Sequence, residues 1–297
     1  MCSSDLADTA NVIPAFQNNI ANCQIEFRLA NIDPNGNCTN GIDRIASYRT
    51  HNASDLSKLN PWPNNMYLNI WTVADFYALK EGAAAYAYYP SNSVADAVDG
   101  VIALSTYVGS IGTSSPTNSR TLTHEIGHFF NLQHVWGNTN APGVACGDDG
   151  VSDTPITKGW DHCPSSNYDV CNNGVDENFQ NYMEYSYCDV MFTQGQNTRM
   201  HAALNSTVQN RNNLWTTNNL IATGTNGTSL QACAPVADFS PEALHICAGD
   251  STRFLSGTDN ADTLTYAWSF PSGTPSSSTL QSPYVSYSTP EIGRAHV

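Results

Sequence analysis

The eleven residues HEIGHFFNLQH, 124–134, constrain this chain more than any other segment. The overlapping run LTHEIGHFFNL, 122–132, has no proline, with Leu122, Ile126, Phe129 and Phe130 available for packing. The segment therefore reads as a helix across a core, capped by Ser119 or Thr121. On a helix His124 and His128 stand one turn apart on one face, so both imidazoles can reach a single zinc ion. Glu125 lies beside them, where it can act as general base toward a water activated at that ion. His134 cannot join them along the same straight helix, and the chain must turn sharply to bring it back. Asn131 lies between the second and third histidines, and asparagine is the commonest substitute for glycine in the left-handed region that a sharp turn can use.

Three neutral imidazoles leave the fourth position of a tetrahedral zinc open, the hallmark of a catalytic rather than a structural site. A structural site would be closed by a fourth protein ligand, and none stands at a recognisable spacing. A carboxylate third ligand would have to be Glu177 or Glu184, and His134 fits better. The alternative reading is a secreted adhesion or carbohydrate-binding protein with a structural zinc site.

Eleven basic residues against 26 acidic ones give a net charge of −15, which argues against nucleic acid or an anionic membrane as partner. No apolar run is long enough to span a bilayer. The opening CSSDL and the closing EIGRAHV read as translated sequencing-adapter runs, so residues 1–6 and 291–297 are expected to be artefacts and are set aside. Without Cys2, eight cysteines remain: Cys23, Cys38, Cys146, Cys163, Cys171, Cys188, Cys233 and Cys247. This even set is compatible with four bridges and points to an oxidising compartment, hence to secretion.

Residues 11–22 have a helical pattern, 25–30 alternate like a strand, and 67–73 and 100–109 are further strand candidates, the last expected at the rim of the cleft. Residues 137–178 are dense in Gly, Asp, Asn, Pro and Cys, which builds irregular chain held by cross-links or ions. A second helix is expected over 193–214. From 223 to 236 the chain reads as a linker, and 237–290 as short strands of an all-β sandwich.

The zinc segment, then CGDDGVSDTP from Cys146, then NYMEYSYCDVMFTQGQNTRM from Asn181, together resemble the pappalysin family of metzincins, closest to its cytophagalysin-like bacterial members. The stretch 25–44 looks like the same family's N-terminal subdomain. The resemblance implies an α/β (α+β) catalytic domain over 7–222, with a twisted sheet, an active-site helix and an irregular lower subdomain. It implies that His124, His128 and His134 hold zinc, that Glu125 is the base, that Met183 lies in a Met-turn beneath the metal, and that Tyr185 can swing near it. It also implies disulfides Cys146–Cys171 and Cys163–Cys188, and calcium near Asp148, Asp149 and Asp153, residues of the oxygen-rich kind this ion prefers. The implied activity is hydrolysis of peptide bonds within protein or peptide substrates. Asp189 falls in the segment expected to shape the substrate pocket. Residues 268–290 resemble a partial polycystic-kidney-disease-like repeat.

Overall fold

The computed structural model describes residues 7–77, 82–166, 168–227, 233–235, 237–258 and 264–288. Both suspected adapter segments and part of the linker lie outside the described residues. The chain divides into two compact units, one of residues 1–28 and 47–219 and one of residues 29–46 and 220–297. This division differs from the expected boundary, because segment 29–46 groups with the C-terminal part. Within that second unit Cys38 is bonded to Cys233, and the N–H groups of Asn31 and Ile32 both donate to the Thr223 carbonyl.

The first unit is built on a three-stranded sheet of β1 (Ile70–Val73), β2 (Ala85–Ala87) and β3 (Val101–Leu104). Its order is β1-β3-β2, with β3 parallel to β1 and antiparallel to β2. Val101, Ile102 and Ala103 are fully buried, as expected of a strand paired on both sides. The helix α1 (Arg120–Phe129) and the helix α2 (Gln194–Leu204) share one core with this sheet. Ile126, Phe129, Leu132, Trp136, Met183, Phe192 and Met200 meet in it.

Several local expectations are corrected. Residues 25–30 form no strand, because no segment among the described residues pairs with them, although Ile25 and Phe27 still pack against the core. Segment 11–22 holds only short 3-10 turns, interrupted at Pro14, whose ring clashes with a helical carbonyl and which lacks an N–H. The helix expected to reach residue 214 stops at Leu204. A 3-10 segment follows, in which Gln209 and Asn210 both have positive φ.

Among its described residues the regular elements of the second unit are strands, apart from α3 (Thr217–Ala222), which begins within the first. One sheet orders β4 (Phe239–Pro241), β5 (Ser251–Ser256), β9 (Tyr284–Tyr287) and β7 (Gly273–Thr274). A second pairs β6 (Trp268–Ser269) with β8 (Ser277–Ser278). Phe254, Trp268, Phe270 and Val285 form their shared core. Of the eight cysteines considered, six are bridged rather than eight: Cys23 and Cys247 stay free.

Candidate metal centre

Helix α1 carries His124, Glu125 and His128, all buried. Ser119 occupies its N-cap position without capping it, and its hydroxyl donates instead to the Pro116 carbonyl. At the other end the Leu132 N–H reaches back to the Gly127 carbonyl and the Asn131 N–H to that of His128. Asn131 itself has φ 68°, so the helix ends in the left-handed turn that commonly closes helices. Leu132, fully buried, anchors the returning chain. His134 then faces the two helical histidines.

The three rings are oriented by backbone carbonyls. Nδ1 of His124 donates to the Tyr182 carbonyl at 2.7 Å, that of His128 to Leu132 at 2.7 Å, and that of His134 to Thr139 at 2.8 Å. A carbonyl only accepts, so each Nδ1 carries the proton and each Nε2 keeps its lone pair. Nε2 of His128 and Nε2 of His134 nevertheless stand 3.2 Å apart. Two lone pairs face each other there, an arrangement that repels unless a cation lies between them. Nitrogens at zinc-bond length in a tetrahedron stand roughly 3.3 Å apart, so the spacing fits that ion. Burial depresses all three imidazoles, that of His128 to about 4 and that of His134 to about 3, with like-charge repulsion adding to the effect at His124 and His134. The rings are therefore neutral near pH 7, the form that binds metal. Among the described residues this trio is the one group of three or more His, Cys, Asp or Glu gathered for an ion, its ligand atoms within 4.8 Å of one another.

Aromatic rings wall the centre. Trp136 stacks on His134 with centroids 4.5 Å apart, and Tyr89 meets His128 edge-on at 5.2 Å. The Tyr185 ring lies 5.5 Å from that of His124 and 4.9 Å from that of His134. Burial raises the phenols of Tyr89 and Tyr185, and the charge of Glu125 raises both further. Both therefore stay protonated beside Glu125.

Met183 is fully buried under α1. Its sulfur occupies the place a Cβ on Gly127 would take, 2.3 Å away. The turn is tied down by Asn181, whose Oδ1 accepts from the Met183 N–H and from Gln196 Nε2, while its Nδ2 donates to Gln196 Oε1. Gln196 in turn closes the capping box of α2 with Thr193. The carboxylates of Glu177 and Glu184 do not join the three histidines as candidate ligands. Glu177 accepts from Thr157, Trp160 and the Cys171 N–H, and Glu184 accepts from the Trp160 N–H.

Among the described residues, Asp148, Asp149 and Asp153 belong to no group of three or more His, Cys, Asp or Glu side chains gathered for an ion. Asp153 holds the start of α2, accepting from the Thr193 hydroxyl and the Gly195 N–H. Asp149 accepts from the Val151 N–H and the Thr154 hydroxyl, and Asp148 from the Gly150 N–H. Asp189 is buried, its carboxyl pushed up to about 7 by burial against the pull of Arg120. Cys146 is bonded to Cys171 and Cys163 to Cys188. The expectation that 100–109 forms the cleft rim is corrected: β3 is paired on both sides, and of the two edge strands among the described residues, β1 and β2, the one that leads into Tyr88 and Tyr89 is β2.

What sequence reasoning passed over was Gly127, readable as the small residue within the zinc segment, and the carbonyls of Tyr182, Leu132 and Thr139. Backbone acceptors leave no residue-type signature at all.

Comparison with known proteins agrees with this geometry. The family model described as Pregnancy-associated plasma protein-A (Peptidase_M43) matches residues 51–205. An extracellular metalloprotease of Trichophyton verrucosum is 31% identical over 199 residues, covering 63% of this chain and 66% of its own length. One from Colletotrichum graminicola is 38% identical over 133 residues, 39% of this chain and 44% of its own length. The chain thus spans less than two thirds of these relatives. Among solved structures, mirolysin in complex with compound 9 superposes with a TM-score of 0.63 at 33% identity, covering 73% of this chain and 84% of that one. Mature mirolysin of Tannerella forsythia in complex with a cleaved peptide gives 0.61 at 32% identity, covering 75% and 84%. With its histidine trio, its Met183 turn and the family match over more than half its length, the chain belongs to the Peptidase_M43 (pappalysin) family of metzincins.

Proposed function

We propose that this chain is a secreted zinc endopeptidase that cleaves extended protein or peptide substrates, with His124, His128 and His134 as ligands and Glu125 as general base. The observation that carries the reading is the convergence of three Nε2 lone pairs, each fixed by a carbonyl behind its ring, beside the buried Glu125. Zinc held there supplies Lewis acidity and makes water nucleophilic near neutral pH.

Glu125 takes the proton of the attacking water and returns it to the leaving amine. Tyr185, kept protonated, donates to the substrate carbonyl oxygen as it gains charge. The substrate backbone lies along the outer edge of β2 by strand addition, which runs it past Tyr89 toward His128. The complex of a family neighbour with a cleaved peptide supports a peptide substrate. Secretion is supported by relatives named extracellular and by three disulfides. The adhesion reading would need a closed metal site, and no further His, Cys, Asp or Glu joins the trio among the described residues.

The test is Glu125→Gln, which removes the base and keeps the shape. Cleavage of a quenched-fluorescent peptide should fall by about 10²- to 10⁴-fold with zinc still bound at one ion per chain. Wild-type cleavage by a zinc-loaded Glu125→Gln protein refutes the mechanism.

A further inference from the structure

We propose that Trp136 is a positioning residue for the metal centre: its indole fixes the ring plane of His134, the one ligand not carried by helix α1. This inference rests on the zinc reading above and concerns how the third ligand is held.

His134 and Gly137 are joined by a tight turn in which the Gly137 N–H donates to the His134 carbonyl at 2.8 Å and Gly137 has φ 102°. The turn brings Trp136 alongside His134. The two rings stack with an interplanar angle of 3°. The indole Nε1–H donates to the Thr139 carbonyl at 3.0 Å, the same oxygen that accepts from His134 Nδ1 at 2.8 Å. One carbonyl therefore sets the in-plane direction of both rings, and stacking removes the remaining freedom of the imidazole to tilt.

The indole is itself immobilised. It is buried, and a Cβ on Gly159 would fall 2.3 Å from its benzo ring. A Cβ on Gly147 would lie 2.1 Å from the Trp136 carbonyl oxygen. Two glycines thus let backbone close in on this residue where any side chain would displace it. The Tyr185 ring leans on the same indole at 5.1 Å, so Trp136 also supports the phenol assigned to the substrate carbonyl. The helical ligands have no such need, because rigid α1 holds His124 and His128 at a fixed separation.

The experiment compares Trp136→Leu, which removes the stacking face, with Trp136→Phe, which keeps a smaller one, and with Trp215→Phe as a remote control. Zinc affinity is measured by competition with a chromophoric chelator at a temperature where the zinc-free proteins are folded. Partners that orient metal ligands typically contribute about 10- to 100-fold in affinity. Trp136→Leu should lose that much, Trp136→Phe only a few-fold, and the control nothing. The cobalt-substituted Trp136→Leu protein should show an altered visible spectrum, which a purely structural tryptophan would leave unchanged. Wild-type affinity in folded Trp136→Leu overturns the proposal. If Trp136→Leu fails to fold, Trp136→Phe decides: a several-fold loss supports the proposal, and wild-type affinity overturns it. Failure of the wild-type protein itself to bind zinc would instead overturn the underlying metal assignment.

Discussion

Helix α1 and the irregular chain between Gly137 and Phe192 bury polar groups beside the same centre by opposite means. In α1 the backbone satisfies itself, so its side chains are free to present two imidazoles and a carboxylate. Among its described residues the irregular segment has only isolated bridges, Gly147 to Thr157 and Asn181 to Met191, and side chains serve other parts of its backbone. Glu177 reaches the Cys171 N–H, Asn181 the Met183 N–H, Glu184 the Trp160 N–H and Asp149 the Val151 N–H. Two disulfides close it. Glu177 uses both carboxylate oxygens in holding the floor, whereas Asp149 and Glu184 each use one and keep the other buried without a hydrogen-bond partner among the described residues. Where regular structure is missing, a buried carboxylate near the metal centre serves backbone N–H groups.

If the floor depends on cross-links and the helix does not, reduction should separate them. Replacing Cys146 and Cys171 together by alanine should cost about 2 to 4 kcal/mol by freeing the unfolded chain. Hydrogen exchange should rise over 146–188 with α1 still protected, and equal loosening of both regions would erase the distinction.

A smaller effect probes where the two regions touch. Gly127→Ala places a methyl 2.3 Å from the Met183 sulfur. Overpacking of about 1 to 3 kcal/mol outweighs the roughly 1 kcal/mol alanine gains over glycine within a helix. Adding Met183→Ala should relieve the clash, giving a favourable coupling in a double-mutant cycle read by denaturant unfolding. Additive losses would show that the helix and the Met183 turn are not in the contact drawn here.

The smallest effect per step is in pH. Buried His128 and His134 have folded pKa values near 4 and 3 against 6.5 for a free imidazole. As pH falls below 6.5 these two rings take up protons in the unfolded chain first, so their contribution favours the folded zinc-free protein fully above that pH and is lost toward pH 4. Each ring contributes up to about 1.4 kcal/mol per pH unit within that window. The buried carboxyls of Asp189, raised to about 7, and Asp149, raised to about 6, take up protons in the folded state over the same window and oppose this loss. The check is therefore NMR titration of the imidazole C–H signals of zinc-free protein: the His128 and His134 rings should still be neutral at pH 5, and protonation near 6.5 would contradict neutral, buried rings.

The sequence by itself determined the features that follow from local periodicity. The four-residue spacing of His124 and His128 needs only a helix, and helix formation depends on nearest neighbours along the chain. Asn131 at a left-handed turn was legible for the same reason, since its backbone preference is its own. Only the tertiary structure decided the rest. That β3 is central and β2 an edge is a fact about partners, and residues 25–30 alternate like a strand but lack one among the described residues. The bond from Cys38 to Cys233 spans 195 residues and could not be chosen over other pairings from spacing. The carbonyls of Tyr182, Leu132 and Thr139, which make three histidines into one set of lone pairs, are common to every residue type. Their position is set by the packing of distant segments, and no reading of side chains along a line contains it.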